Sequence, residues 1–252
     1  MCVFHHQNYI NLLKLLITSI SSKANINKET TDILIFTSPS FQPIIQNELS
    51  SFNLPITYWI LNLHTLFQAG CARLTIFKYP NISKYENILY IDTDILLNSD
   101  VNVLFNLELS INKIYALEEG TIENGCFGGS DFFDFSKYNK NTTAFTSGIL
   151  LFKNSNSIKL LFDTIIEHII QYSSNPKNKV PGCLDQPFIV YNAIIQDKYD
   201  NQVLNNYAEN NPSTLNIDKI IYHFPGGPGE YSSKLNKMTH FWNIMNSPIS
   251  NK

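Results

Sequence analysis

The run Asn87-Ile88-Leu89-Tyr90-Ile91-Asp92-Thr93-Asp94-Ile95-Leu96-Leu97 constrains this chain more than any other segment. Residues that favour strands lead into two carboxylates two positions apart, and the chain then turns apolar again. Burying charge is costly unless the charge is paired or bound to a metal. Along a strand, residues two apart share a face, so Asp92 and Asp94 are expected side by side. There they can share one hard cation, which takes oxygen ligands and usually brings a phosphate with it. The competing reading is a strand running into an Asp-rich turn, because Asp favours turns. The apolar residues on both sides favour the metal.

The flanking sequence supplies a frame for that strand. Met1 to Phe4 reads as a short first strand, and Asn8 or a neighbour caps a helix carrying Tyr9, Leu12, Leu13, Leu16 and Ile20 at helical spacing. Ile33–Thr37 reads as a strand, Phe41–Leu49 as a helix after the Ser38-Pro39-Ser40 turn, and Ile56–Ile60 as a strand. Leu63–Phe77 is expected to be helical. Ile114–Leu117 is a further strand, followed by a Gly-rich aromatic loop over Gly120–Asn141. After the strand Gly148–Phe152, the residues Ile158, Leu161, Phe162, Ile165, Ile166 and Ile169 mark an amphipathic helix. Asp185–Ile195 reads as a helix, and Ile220–His223 as a strand entering Pro225-Gly226-Gly227-Pro228-Gly229. Strands alternating with helices over the first hundred residues imply an α/β fold with a mostly parallel, doubly wound sheet. Ligands then bind at the carboxyl ends of strands, after Phe4, Ile91, Leu117 and Tyr222. No internal repeat or linker interrupts the chain, so a single domain over residues 1–252 is expected.

Composition removes several function classes. The chain has 252 residues and a formal net charge of -3, which leaves no basic footprint for nucleic acid. Cys2, Cys71, Cys126 and Cys183 contain no Cys-x-x-Cys pair, so no zinc or redox motif is signalled and reduced thiols are expected. The apolar stretch over residues 10–20 carries Lys14 and is too short to span a bilayer. With no signal peptide, a cytoplasmic location is expected. The sequons Asn81-Ile82-Ser83 and Asn141-Thr142-Thr143 are then chance patterns in an Asn-rich chain.

The ordered set of local motifs resembles one family. Asn8-Tyr9 follows the first strand, Ala72-Arg73-Leu74 precedes the acids, and Leu89-Tyr90-Ile91-Asp92-Thr93-Asp94 carries them. Ser147-Gly148-Ile149-Leu150-Leu151, Asp185-Gln186 and His223-x-x-Gly226 then follow. Together they are similar to glycosyltransferase family 8, the glycogenin-like retaining enzymes of the GT-A fold, from Val3 to about Phe241. The resemblance implies a UDP-sugar donor, an acceptor hydroxyl on a glycan, protein or small molecule, and a divalent cation. It assigns Asp92, Asp94 and His223 to the metal, with Asp92 also near the ribose. Tyr9 matches the ring that stacks on uracil and Asn8 its neighbour. Arg73 matches a basic donor contact, Asp185 and Gln186 the pair beside the donor sugar, and Glu119 loosely an acid touching sugar hydroxyls. Ser147 and Gly226 fall in donor-binding motifs. An imidazole among oxygen ligands suits Mn²⁺ better than Mg²⁺. Glucose is the first donor expectation and galactose the second; a homodimer is compatible with everything above.

Three positions depart from the family pattern. Thr146 stands where the family usually has Asn, Pro187 follows Asp-Gln where a further Asp is common, and Gly229 stands near the family's lysine. Lys234 is the nearest basic residue and is expected to compensate as a cation toward the diphosphate. Each assigned residue also has a plain reading. Tyr9 can be helix packing, Arg73 a salt-bridge residue, Asp185 a helix N-cap, His223 a core histidine and Lys234 a solvated lysine; His5 and His6 are rim residues. The rival functions are a non-catalytic nucleotide-sugar or glycan binder of the same fold, a metal-dependent nucleotidyltransferase or phosphohydrolase, and an enzyme that glucosylates its own tyrosine.

Overall fold

The computed structural model describes residues 2–3, 7–227 and 230–247. His5, His6 and Gly229 lie outside them. In chain order the elements are β1 (Cys2–Val3), α1 (Asn8–Lys23), β2 (Ile33–Thr37), α2 (Gln42–Leu49), β3 (Ile56–Ile60) and α3 (Leu66–Cys71). Then come β4 (Asn87–Ile91), β5 (Ile95–Leu97), α4 (Asn102–Phe105), β6 (Ile114–Thr121), β7 (Thr143–Lys153), α5 (Asn156–Ser174) and α6 (Gln186–Ile195). The chain ends with β8 (Tyr199–Asp200), β9 (Ala208–Asn210), β10 (Ile221–His223) and α7 (Tyr231–Asn246). They form two compact units interleaved in sequence. One takes Asn62–Asp92 and Leu107–Asn206 with the first two residues, the other Val3–Leu61, Thr93–Asn106 and Tyr207–Lys252.

The first unit is built on the sheet β4-β7-β6-β8. β7 is buried from Ala144 to Phe152 and pairs antiparallel with β4 and with β6, while β8 runs parallel to β6. The antiparallel β6–β7 pair is consistent with connectivity. The segment over residues 122–142 between β6 and β7 contains no α-helix, the usual crossover between parallel neighbours. α5 presents Ile158, Leu161, Phe162, Ile165 and Ile169 to the core on one face. Its N-cap Ser155 accepts a hydrogen bond from the Ile158 amide. Phe162 meets Phe77 edge-on at 5.4 Å and Phe152 at 5.2 Å.

The helix expected over Leu63–Phe77 divides. Thr65 and Gln68 form a capping box that starts α3, and a 3₁₀ helix over Ala72–Lys78 takes over. Thr75 Oγ1 donates back to the Ala72 carbonyl at 2.7 Å, a local bond that competes with the α-helical ladder. The tighter turn carries Arg73 into the interior, where it is 7% exposed.

In the second unit β2 pairs parallel with β3, as the alternating pattern implies, and β1 completes that sheet. β10 lies between β5, antiparallel, and β9, parallel. Gln7, not Asn8, holds the N-cap position of α1, and its side chain makes no capping bond. The core gathers Leu12, Leu96, Tyr222, Phe224, Met238 and Phe241. Buried Ser19 of α1 accepts from the Leu97 amide at 3.0 Å and so satisfies a strand end that lacks a sheet partner there.

Candidate active site

The chain passes from the first unit to the second within Asp92-Thr93-Asp94. The acids therefore do not ride a strand as the alternation argument expects. β4 ends at Ile91, and both carboxylates sit in the bend before β5. Each has its own set of partners.

In the first unit the Asp92 amide donates to the Gly148 carbonyl at 2.8 Å, which extends the β4–β7 pairing by one bond. Asp92 Oδ1 accepts from the Tyr90 hydroxyl and lies 3.5 Å from Arg73 Nη1. Arg73 stacks over the Tyr90 ring at 4.4 Å. Its guanidinium donates to the Ser147 carbonyl at 2.5 Å and to the Gly70 carbonyl at 3.2 Å. Nε lies 3.0 Å from Asp185 Oδ2. That carboxylate oxygen still lacks a hydrogen bond, because the Nε–H is aimed at Gly70; the pairing is electrostatic. Burial drives the Asp185 carboxyl up to about 6; the Arg73 charge opposes this and the Asp92 charge adds to it. Asp185 occupies the N-cap position of α6 without capping it. Leu184 before it is left-handed at φ 54, which costs about 1–3 kcal/mol. Gln186 opens the helix, and its Nε2 donates to Glu119 Oε2 at 2.6 Å and to the Phe145 carbonyl at 3.1 Å.

In the second unit Asp94 is buried. Its carbonyl accepts from the Phe224 amide at 2.9 Å, and the β5–β10 register sets His223 opposite Ile95. Lys234 Nζ from α7 lies 2.6 Å from Asp94 Oδ2, and His223 Nε2 lies 3.6 Å from Oδ1. Oδ1 has no hydrogen-bond partner. Burial opposes ionisation of Asp94, but the His223 and Lys234 charges outweigh it and hold the carboxyl below its ordinary value. His223 Nδ1 meets Asn210 Oδ1 at 2.9 Å. An amide oxygen only accepts, so Nδ1–H donates to Asn210 and Nε2 is the ring nitrogen turned toward Asp94. A partnerless carboxylate oxygen beside an imidazole nitrogen is a donor set that suits a divalent ion when the ring is neutral.

The structure thus joins Asp94, His223 and Lys234 in one cluster, and Asp92, Arg73 and Asp185 in another with Gln186 and Glu119 nearby. Among the described residues no group of three or more His, Cys, Asp or Glu side chains is assembled to hold a metal. Arg73 is spent on internal bonds, and Ser147 is buried with its carbonyl turned to Arg73. Tyr9 packs against the second unit's core and meets Tyr231 edge-on at 4.8 Å. Asn8 lies in the first turn of the same helix. Gly226 approaches Glu230 and Lys234 so closely that a Cβ there would lie 2.8 Å from Glu230 Oε2. Thr146 folds its hydroxyl back to accept from the Gly148 amide, and Pro187 fits the first turn of α6. Sequence reasoning missed Asn210 as the partner of His223. Only the β9–β10 register reveals it, since nothing distinguishes this Asn among so many. No helix among the described residues is long and apolar enough to cross a membrane.

Residues 6–228 match the family model described as glycosyl transferase family 8. No curated protein matches the sequence. Among solved structures, the galactosyltransferase LgtC in complex with donor and acceptor sugar analogues is 14% identical, with a TM-score of 0.59 over 99% of this chain and 97% of that one. Mouse xyloside xylosyltransferase 1 is 10% identical, with a TM-score of 0.62 over 88% of this chain and 95% of that one. The bifunctional glycosyltransferase WbbM is 16% identical, with a TM-score of 0.60 over 98% of this chain, which spans 49% of that protein. At these identities the likeness is one of fold.

Proposed function

The chain belongs to glycosyltransferase family 8 and is a glycosyltransferase of the GT-A fold, and on that premise we propose that it moves a hexose from a UDP-sugar to an acceptor hydroxyl with retention of configuration. Glucose is the first donor to test and galactose the second. The family match favours this reading over nucleotidyl transfer or phosphate hydrolysis. The observation that carries it is the buried Asp94, with one oxygen neutralised by Lys234 and the other partnerless beside His223 Nε2.

Asp94 Oδ1 and His223 Nε2 would hold a divalent cation, with Asp92 the third protein ligand by the family pattern. Mn²⁺ is the first expectation, because imidazole stands among the oxygens. When bound, such an ion supplies Lewis-acid stabilisation of the departing diphosphate. The chain's own residues supply the rest. Asn210 fixes the His223 tautomer. Lys234 brings a second positive charge toward the leaving group. Gly226, with no Cβ, makes room for Lys234 and Glu230 beside the loop after β10. Asn8 and Tyr9 would receive the base, and Gln186 would stand beside the anomeric carbon where positive charge develops. Arg73 and Asp185 keep that end rigid.

The test is a panel of UDP-glucose, UDP-galactose and UDP-N-acetylglucosamine with Mn²⁺, scored by UDP release with candidate acceptors and by intact mass for self-glucosylation. Release from one donor that EDTA abolishes and Asp94→Asn removes is expected. Release of pyrophosphate or inorganic phosphate instead of UDP would overturn the reading.

A further inference from the structure

Glu118 and Glu119 are adjacent, yet they serve opposite sides of β6. Glu118 Oε2 accepts from Asn205 Nδ2 at 3.1 Å, and Glu119 Oε2 accepts from Gln186 Nε2 at 2.6 Å. Alternation along a strand accounts for the divergence. The β6–β7 ladder is also irregular here. Its register shifts between Ala116 and Leu117 and again between Glu118 and Thr121, and such bulges re-aim side chains. The Phe145 carbonyl of β7 is the second acceptor for the same Gln186 nitrogen, at 3.1 Å.

A primary amide has two N–H donors and one acceptor oxygen. Both donors of Gln186 are committed, one to a carboxylate and one to a carbonyl. A flipped amide would press Oε1 against two other oxygens, so the orientation is fixed by repulsion as well as attraction. Oε1 is left as the uncommitted acceptor of the group. The bond to an ionised carboxylate is charge-assisted and roughly twice as strong as a neutral one. It draws the N–H proton toward Glu119 and leaves more electron density on Oε1. An oxygen so oriented and polarised stabilises positive charge without reorganising when that charge appears.

We propose that Glu119 is a positioning residue for glycosyl transfer, holding the Gln186 amide so that Oε1 is presented to the reacting sugar. This rests on the reading of Gln186 given above. It replaces the looser expectation that Glu119 touches sugar hydroxyls itself. Sugar contact and positioning make opposite predictions when the two residues are changed together.

The experiment is a double-mutant cycle on the full chain with the donor found active, using Glu119→Gln, Gln186→Ala and the pair. Glu119→Gln preserves size, and thermal unfolding checks that the variant is folded. Positioning predicts that Glu119→Gln lowers kcat by about 100-fold, the scale of a misplaced reacting group, while the donor KM changes little. In the Gln186→Ala background the same substitution should cost less than about 3-fold, because the group it acts through is gone. Losses that multiply, or a loss expressed in donor KM, would overturn the positioning role. A second readout needs no turnover. The side-chain amide resonances of Gln186, identified by their loss in Gln186→Ala, should shift and exchange faster in Glu119→Gln, and unchanged resonances would also overturn it. Failure of the wild type to release UDP from any donor would sink the transferase reading and this proposal with it. Turnover with additive losses sinks the positioning role alone.

Discussion

Lys234 Nζ lies 2.6 Å from Asp94 Oδ2, and both side chains are largely withdrawn from water. A buried pair of this kind is costly to break from one side, because the remaining charge keeps its desolvation penalty. Asp94→Asn should therefore destabilise the protein by about 3 kcal/mol near pH 7. The folded Asp94 titrates below its ordinary value. Its stabilising contribution is thus present above the unfolded carboxylate pKa and is lost as pH falls through the folded one. Urea unfolding of wild type and variant should differ most at neutral pH and converge in acid. A gap that widens on acidification would contradict this sign.

Lys234→Met leaves a buried carboxylate facing only His223, and should cost a similar ~3 kcal/mol. Removing both charges should cost less than the two single changes added together, since the double variant strands neither ion. Chemical denaturation of the three variants checks this. Strict additivity would mean that the pair carries no coupling.

Asp185 has the opposite sign. Its folded pKa of about 6 stands above the ordinary carboxylate value of 3.8. Its contribution is fully present below the unfolded value and is lost as pH rises through about 6. Relative to wild type, Asp185→Asn should therefore gain stability between roughly pH 4 and pH 7. Thermal unfolding measured across that range would show the two curves drawing together or crossing. Parallel curves would remove Asp185 as the source.

Gly125 lies in the loop between β6 and β7. A Cβ there would stand 2.2 Å from the Phe127 ring and 2.5 Å from the Thr121 carbonyl. Phe127 is fully buried and the carbonyl belongs to the backbone, so neither can yield cheaply. Gly125→Ala should destabilise by about 2 kcal/mol, the usual scale for overpacking. Gly182→Ala is the matched control, because nothing lies within 4 Å of its added methyl. Equal stabilities of the two variants, measured by denaturation, would argue against the packing described for this loop.

Much of the fold was legible because periodicity survives single-sequence reading. The α1 and α5 faces, the strands β2, β3 and β4, and the α6 start fall where apolar spacing puts them. The 3₁₀ segment over Ala72–Lys78 was not legible, because its apolar spacing is that of an α-helix and only the Thr75 back-bond separates the two. The site divides in the same way. Asp94 and His223 could be named from residue type and context, and Lys234 was identified as a nearby cation. Its bond to Asp94 required the placement of α7. Arg73 was named as a donor contact, but its commitment to Asp185, Ser147 and Gly70 depends on long-range packing that leaves no local trace. Gln186–Glu119 and His223–Asn210 are likewise pairings between distant strands and helices, invisible until register is known.

The irregular ladder of β6 has a consequence for how the chain tolerates change. Strand phase decides which of two neighbouring glutamates faces Gln186, and a slip of one residue would hand it Glu118's direction instead. The two register shifts act as a phase lock. Lengthening or shortening β6 by one residue should then be worse than replacing any single side chain in it. Such a change can keep both glutamates and still deliver the wrong one to α6.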